Sequence, residues 1–159
     1  MPPRQRRIPA LWPMRANGVQ RDVTFHGLEP YFPFHGALYG EALLSVLKSI
    51  DIGVSPDPKN PMNDISTMNK VMEHMTLEKP LVQFDLTEGR ASAAEASLCA
   101  HGNDPVDFAT RIAVLIADPA LRARLGKLGR ARVMDQLLWA HSAPKLLATY
   151  DRVFAKRSS

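Results

Sequence analysis

The segment "IDIGVSPDPKNPMNDISTMNKVMEHMTLEKPLVQFDL", Ile50 to Leu86, decides how this chain folds. It opens on a short apolar run, "DIGVSP", which Pro56 ends because proline has no N–H to give a sheet. A polar loop follows. Met68, Val71, Met72 and Met75 then recur at helical spacing, and "PLVQFD" reads as a second strand. Strand, helix, strand is a βαβ unit, whose crossover helix returns the chain so that the strands lie parallel.

Working outward, "EALLSVLKSI" sets Leu43, Val46, Leu47 and Ile50 on one helical face. Before it, the β-branched and aromatic run "VTFHG", closed by Gly27, reads as a strand, followed by the loop "LEPYFPFHGALYG" with Pro30 and Pro33. After the segment, "SLCA" is a short further strand. The chain then turns helical, with Asp104-Pro105 and Asp118-Pro119 each placing a capping Asp before a proline at the first helical position. Phe108, Ile112, Leu115 and Ile116 mark one apolar face, and Leu121, Leu125 and Leu128 begin another. Leu146, Leu147, Tyr150, Val153 and Phe154 share one face of the last helix. The expected class is α/β: a parallel sheet with helices on both faces and a helical C-terminal segment.

A chain of 159 residues, 45% of them hydrophobic, is one globular domain by size and buries about 70% of its unfolded surface. It has no run of the roughly 20 apolar residues that a membrane span needs. Cys99 is the only cysteine, which excludes an internal disulfide and fits a cytoplasmic protein. Residues 1–21 hold five arginines and no acid, a charge of +5, so the rest carries −1 of the total of +4. The basicity therefore belongs to a leader, interrupted by Pro2, Pro3, Pro9 and Pro13, and not to the body. The expected division is a disordered leader at residues 1–22 and a folded domain at 23–156, with no nucleic-acid partner for the body.

Ligands of parallel sheets bind outside the carboxyl ends of the strands, where helices begin. The loop from Ser55 to Ser66 lies there. With Ser66 as cap, the first free backbone N–H groups belong to Thr67, Met68 and Asn69, a place for phosphate at the positive end of the helix dipole. Ser66, Asn69, Lys70 and Glu73 share the polar face, so Glu73 stands about two turns behind, where a carboxylate can accept bonds from ribose hydroxyls. The plainer alternative is a cap and a solvated acid with no ligand. Met62, Met68, Met72 and Met75 read as core filling. His26, His35, His74, His101 and His141 have no metal-ligand spacing, and no metal or cofactor is expected. Arg122, Arg124, Lys127, Arg130 and Arg132 read as a solvated helix face, the alternative being peripheral contact with anionic lipid.

The Ile50–Leu86 segment resembles the donor-site segment of retaining, group 1 (family-4) glycosyltransferases, enzymes of the two-domain GT-B architecture. There a strand ending in proline leads through a polar loop to a helix carrying "EYMA", then "GKPVV" and another strand. "LWAHSAPKLLATYDRVF" is similar to the C-terminal "W-E-H … LL-x-x-Y" helix of that family, and "VTFHG" to its "VTFTG" strand and turn. The resemblance covers Val23 to Phe154. It implies a Rossmann-like half of a GT-B fold that binds a nucleotide-diphosphate sugar, a UDP- or GDP-sugar, for transfer to an acceptor that the sequence does not identify.

Residue by residue, the resemblance gives Glu73 the place of the second acid of the family's E-x7-E motif, which holds ribose. The first acid contacts the transferred sugar. Ile65 occupies its position here and Asp64 is the nearest carboxylate, which makes Asp64 the catalytic candidate. Ser66 and Thr67 match the loop beside diphosphate and sugar, and Gly27 the turn that flanks the base. The family's "GKP" is Glu78-Lys79-Pro80, without its glycine. The acceptor domain of the family matches nothing here, so the resemblance implies a C-terminal half, truncated at the N-terminus and inactive alone. Two other readings stand beside it: a non-catalytic remnant or nucleotide-binding module, and a nucleic-acid or membrane-surface binder driven by the basic leader.

Overall fold

The computed structural model describes residues 16–157 of the chain, which divides into two compact units, Met1–Ile50 and Asp51–Ser159. In the first unit, helix α1 (Ala16–Phe25) is followed by a 3₁₀ turn, Glu29–Tyr31, and by α2 (Gly40–Ser49). In α2, Leu47 is buried and Leu43 and Val46 are half-buried, as their spacing requires.

The strand expected at "VTFHG" is instead the last turn of α1 and its stop. Gly27 takes φ 63°, the Leu28 N–H donates to the Val23 carbonyl (2.9 Å) and the Gly27 N–H to the Thr24 carbonyl (3.0 Å). These are the two bonds of a Schellman motif. In sequence, a left-handed glycine that ends a helix looks like one that closes a strand. Residues 1–15, most of the expected leader and Trp12 with it, lie outside the described residues, and α1 runs through the expected boundary at residues 22–23.

The second unit carries the sheet. Strands β1 (Gly53–Ser55), β2 (Leu81–Phe84) and β3 (Ser97–Ala100) lie parallel in the order β1-β2-β3, with Val54 opposite Val82 and Val82 opposite Leu98. Between β1 and β2 come α3 (Pro61–Asp64) and α4 (Asn69–Thr76), and between β2 and β3 come α5 (Thr87–Ala93) and a 3₁₀ turn. Then follow α6 (Pro105–Ala117), α7 (Pro119–Arg132), a π-helical turn Val133–Leu137 and α8 (Trp139–Arg157). Asp104 accepts from the N–H groups of Val106 and Asp107, and Asp118 from that of Leu121, so both Asp-Pro pairs start helices as expected.

β2 is buried along its whole length, and its side chains alternate between two cores. Val82 and Phe84 pack with Ala100, Leu86, Phe108 and Leu115 of α6, and Leu125 of α7. Leu81 packs on the other face with Val71 and Met75 of α4, Ala93, Ala96 and Val133. Val71, Met75, Leu81, Val82 and Leu115 are fully buried, each worth about 1.5–3 kcal/mol. Gln83, between Leu81 and the carboxyl end, is 2% exposed, and its amide donates to the Gly89 carbonyl and Ser97 Oγ. Met62, expected in the core, is 72% exposed on α3, because that helix belongs to the loop beyond β1.

Helix α7 lies along the amino ends of the strands. A Cβ at Gly126 would lie 2.1 Å from the Glu78 carbonyl oxygen, and one at Gly129 would press Met75 at 3.1 Å. Its arginines bond the carboxyl ends of three other helices. Arg122 donates to Leu115 and Ile116 of α6, Arg130 to Thr76 of α4, and Arg132 to Ala91 and Ser92 of α5. Cations at those places satisfy carbonyls that have no helical partner and oppose the negative end of each dipole. Three of the basic residues expected on a solvated face thus bind helix ends. Among the described residues no helix is long and apolar enough to cross a membrane.

Candidate functional site at the carboxyl ends of the strands

Pro56 ends β1, and the loop from Pro56 to Met68 then crosses the carboxyl ends of all three strands, held down by its own polar side chains. Asn60 caps the short α3 by accepting from the Asn63 N–H (2.9 Å), with Pro61 at the first helical position. Lys59 joins the loop to the other two strands. Its N–H donates to Asn103 Oδ1 (2.7 Å) and its carbonyl accepts from Asn103 Nδ2 (3.1 Å), beyond β3. Its Nζ donates to the Asp85 carbonyl (3.0 Å), beyond β2, and lies 3.7 Å from Asp64. Asn103 takes φ 64°, which asparagine tolerates, and a Cβ at Gly102 would meet the Lys59 stem at 2.7 Å.

Two more ties fasten the loop to α5. Asp64 accepts from the Thr87 N–H (3.0 Å) and from Thr87 Oγ1 (2.8 Å), which satisfies an open N–H at the start of α5. Those bonds, with Lys59 behind them, hold the Asp64 carboxyl below the usual carboxylate range. Thr67 Oγ1 donates to Glu88 Oε1 (2.8 Å), which also accepts from Ser92 Oγ (3.0 Å). Nearer the sheet, Lys70 Nζ donates to both oxygens of Asp57 (2.7 and 2.8 Å), and Asp57 also accepts from Ser55 Oγ. Arg90 pairs with Asp85, and the bond to that carboxylate raises the Arg90 pKa further. Beyond β3, Asp107 accepts from the His101 N–H and stands 2.8 Å from its Nδ1, with Arg111 at 3.1 Å, and is held low by these bonds.

The structure brings Asp64, Ser66, Thr67, Met68 and Asn69 together in this loop and at the start of α4, with Glu73 exposed further along the helix. Gly27 lies in the first unit. The helix start differs from the expectation. Ser66 is no cap: its hydroxyl donates back to the Met62 carbonyl (2.6 Å), closing the turn after α3. Helix α4 begins at Asn69, with Met68 at the cap position in extended conformation and no side chain bonded there. The Val71 N–H turns back to the Met68 carbonyl (3.0 Å), so the open N–H groups of the helix itself are those of Asn69 and Lys70. The Glu73 carbonyl accepts from the Leu77 N–H, but its carboxylate bonds none of the described residues.

On the opposite face of α4, His74 is 7% exposed and its Nδ1 has no hydrogen-bond partner. The ring lies against Gly53 so closely that a Cβ there would be 2.5 Å from its Cγ. Burial, with Lys70 and Lys79 near, lowers its pKa to about 4. Among the described residues no cluster of His, Cys, Asp and Glu is arranged to hold a metal. Sequence reasoning missed Asp57, Lys59, Thr87, Glu88 and Asn103. "DPKNP" read as an undifferentiated polar loop, although two prolines around a lysine are a sign of a fixed strap.

No protein-family model matches the sequence, and no curated protein does. Solved structures do. Sucrose-phosphate synthase from Thermosynechococcus elongatus superposes with a TM-score of 0.72 at 22% identity, over 87% of this chain and 34% of that one. WaaG, a glycosyltransferase involved in lipopolysaccharide biosynthesis, gives 0.62 at 11% identity, over 77% and 32%. The C-terminal domain of a group 1 family glycosyltransferase, LpcC, from Francisella tularensis gives 0.63 at 17% identity, over 78% and 65%. The chain spans about a third of the length of the first two. At these identities the likeness concerns the fold, and the fold is that of the C-terminal domain of a group 1 glycosyltransferase.

Proposed function

We propose that the domain expected at residues 23–156 is the donor-binding half of a retaining glycosyltransferase, acting in the cytoplasm on a UDP- or GDP-sugar. The observation that carries the reading is the uncapped start of α4, whose open Asn69 and Lys70 N–H groups face the carboxyl end of the sheet. Phosphate there gains two hydrogen bonds and the helix dipole, the latter worth roughly 0.3–1 kcal/mol. The exposed Glu73 carboxylate takes the ribose hydroxyls. As the sugar leaves, the same N–H groups meet the negative charge that develops on the diphosphate, and stabilisation of that kind is a large part of many enzymes' rate.

The described residues supply nothing that would hold an acceptor. Positioning two reactants can account for about 7–11 kcal/mol of a barrier, so this chain by itself hydrolyses a donor slowly at most. The alternative, a non-catalytic nucleotide-binding module, has the same binding site and differs only in turnover. Calorimetry with UDP and GDP tests the binding. The expected Kd is millimolar to high-micromolar, about −4 to −6 kcal/mol. Absence of binding to either nucleotide would end the proposal. Mass spectrometry after incubation with UDP- and GDP-sugars and lipid or sugar acceptors then separates a half-enzyme from a complete one.

A further inference from the structure

Two carboxylates flank the loop ahead of α4, and their hydrogen bonds divide them. Both oxygens of Asp64 already accept, Oδ1 from the Thr87 N–H and Oδ2 from the Thr87 hydroxyl. A ligand hydroxyl would have to compete with the start of α5 for this group, and losing that cap would loosen the loop itself. Glu88 is arranged differently. It stands one residue further along α5, half-buried, and both its bonds fall on Oε1, from Thr67 and Ser92. Those two hydroxyls fix its orientation, and Oε2 accepts no bond from the described residues. Through Thr67 it is joined to the chain two residues before the open N–H groups of α4.

We infer that Glu88, held by Thr67 and Ser92, is the carboxylate that accepts hydrogen bonds from the hydroxyl groups of the sugar, and that Asp64 is a structural cap for α5. The inference rests on the donor-binding reading above and sharpens it to a specificity-determining residue. Carboxylates suit polyhydroxylated ligands because every hydroxyl is a donor, and a bond to a charged acceptor is about twice as strong as a neutral one. A carboxylate already oriented by two bonds also loses less rotamer freedom when the ligand arrives. Thr67 and Ser92 are then positioning residues, acting through Glu88.

The test compares a nucleotide with its own sugar derivative by calorimetry, UDP against UDP-glucose and GDP against GDP-mannose, in the full chain and in Glu88→Gln, Glu88→Asp and Asp64→Asn. In Glu88→Gln the advantage of the sugar nucleotide over the free diphosphate should fall by about tenfold or more, while the diphosphate affinity stays within a factor of two or so of the parent. Glu88→Asp, which keeps the charge on a shorter arm, should recover part of the advantage. Asp64→Asn should lower the thermal midpoint and keep the advantage. If the advantage survives in Glu88→Gln and disappears in Asp64→Asn, with both variants folded, the roles are the reverse of those inferred here. If diphosphates bind and Glu88→Gln leaves the ratio as it was, Glu88 has no such role although the donor site stands. If neither diphosphate binds the parent, the donor-binding reading fails and this assignment fails with it.

Discussion

The two ends of the same three strands are built on opposite principles. At the amino ends α7 closes the sheet with backbone-to-backbone contact at Gly126, and its arginines bond the last carbonyls of α4, α5 and α6. At the carboxyl ends nothing packs so tightly. The loop from Pro56 to Met68 is held by side-chain bonds from Asp57, Lys59, Asp64 and Thr67, all within reach of solvent. Surface bonds of this kind are each worth little, so they set geometry more than stability. The amino ends therefore carry the fold, and the carboxyl ends carry whatever the fold is for.

Gly126→Ala should separate the two most sharply. A methyl group 2.1 Å from the Glu78 carbonyl oxygen cannot be accommodated unless α7 moves off the sheet, at a cost of about 3 kcal/mol, the upper end for overpacking. Urea unfolding measures it, and a loss under 1 kcal/mol would mean that α7 does not seal this edge.

The second effect depends on pH. Folded His74 titrates at about 4 and the unfolded residue at 6.5. Between those values the unfolded chain binds the proton and the folded one does not, so stability is complete above pH 6.5 and falls as the pH is lowered toward 4. The full difference is about 3 kcal/mol. The carboxylates Asp64 and Asp107, whose pKa values are also lowered, add a loss of the same sign at still lower pH. Urea midpoints of the parent and of His74→Leu at pH 7.5 and 4.5 test the assignment, because the variant should lose the His74 part of the slope. Parallel slopes would show that the ring is not buried neutral.

A smaller change goes the other way. Glu78 sits at φ 56° and closes α4 with the two bonds of a Schellman motif, Lys79 N–H to His74 carbonyl and Glu78 N–H to Met75 carbonyl. Glu78→Gly should stabilise the protein by about 1 kcal/mol, the left-handed cost of a side chain, since the exposed pair with Arg130 at 3.5 Å gives little back. An unchanged or lower thermal midpoint would contradict it. Least of all on stability, Glu73→Ala at the open edge should stay within about 0.5 kcal/mol of the parent.

What the sequence revealed follows the same division. The apolar stripe of α4, the run "LVQF" and the Asp-Pro caps at Asp104 and Asp118 are local signals, and each element stands where its residues predict. "VTFHG" failed because Val23, Thr24 and Phe25 favour strands in isolation while the stop at Gly27 belongs to a helix. The helix starts two residues later than its polar entrance suggests because Ser66 has a nearer partner, the Met62 carbonyl, left open by the short α3. The loop ties were illegible for a different reason. Lys59 and Asn103 are 44 residues apart, and no local pattern links them. His74 is one of five scattered histidines in the sequence, and only its packing against Gly53 shows that it is buried.

The proposed donor site puts the phosphates of a nucleotide at the start of α4. The most direct measurement is a titration of the isotope-labelled chain with UDP and with GDP, following backbone amide resonances by NMR. Saturable shifts are expected, largest at the Asn69 and Lys70 amides, with little change along α7. Glu73→Ala should then weaken binding by roughly 1–3 kcal/mol, as loss of charge-assisted bonds to ribose requires. Amides of α4 that stay unmoved at millimolar nucleotide, or shifts confined to the amino ends of the strands, would contradict it.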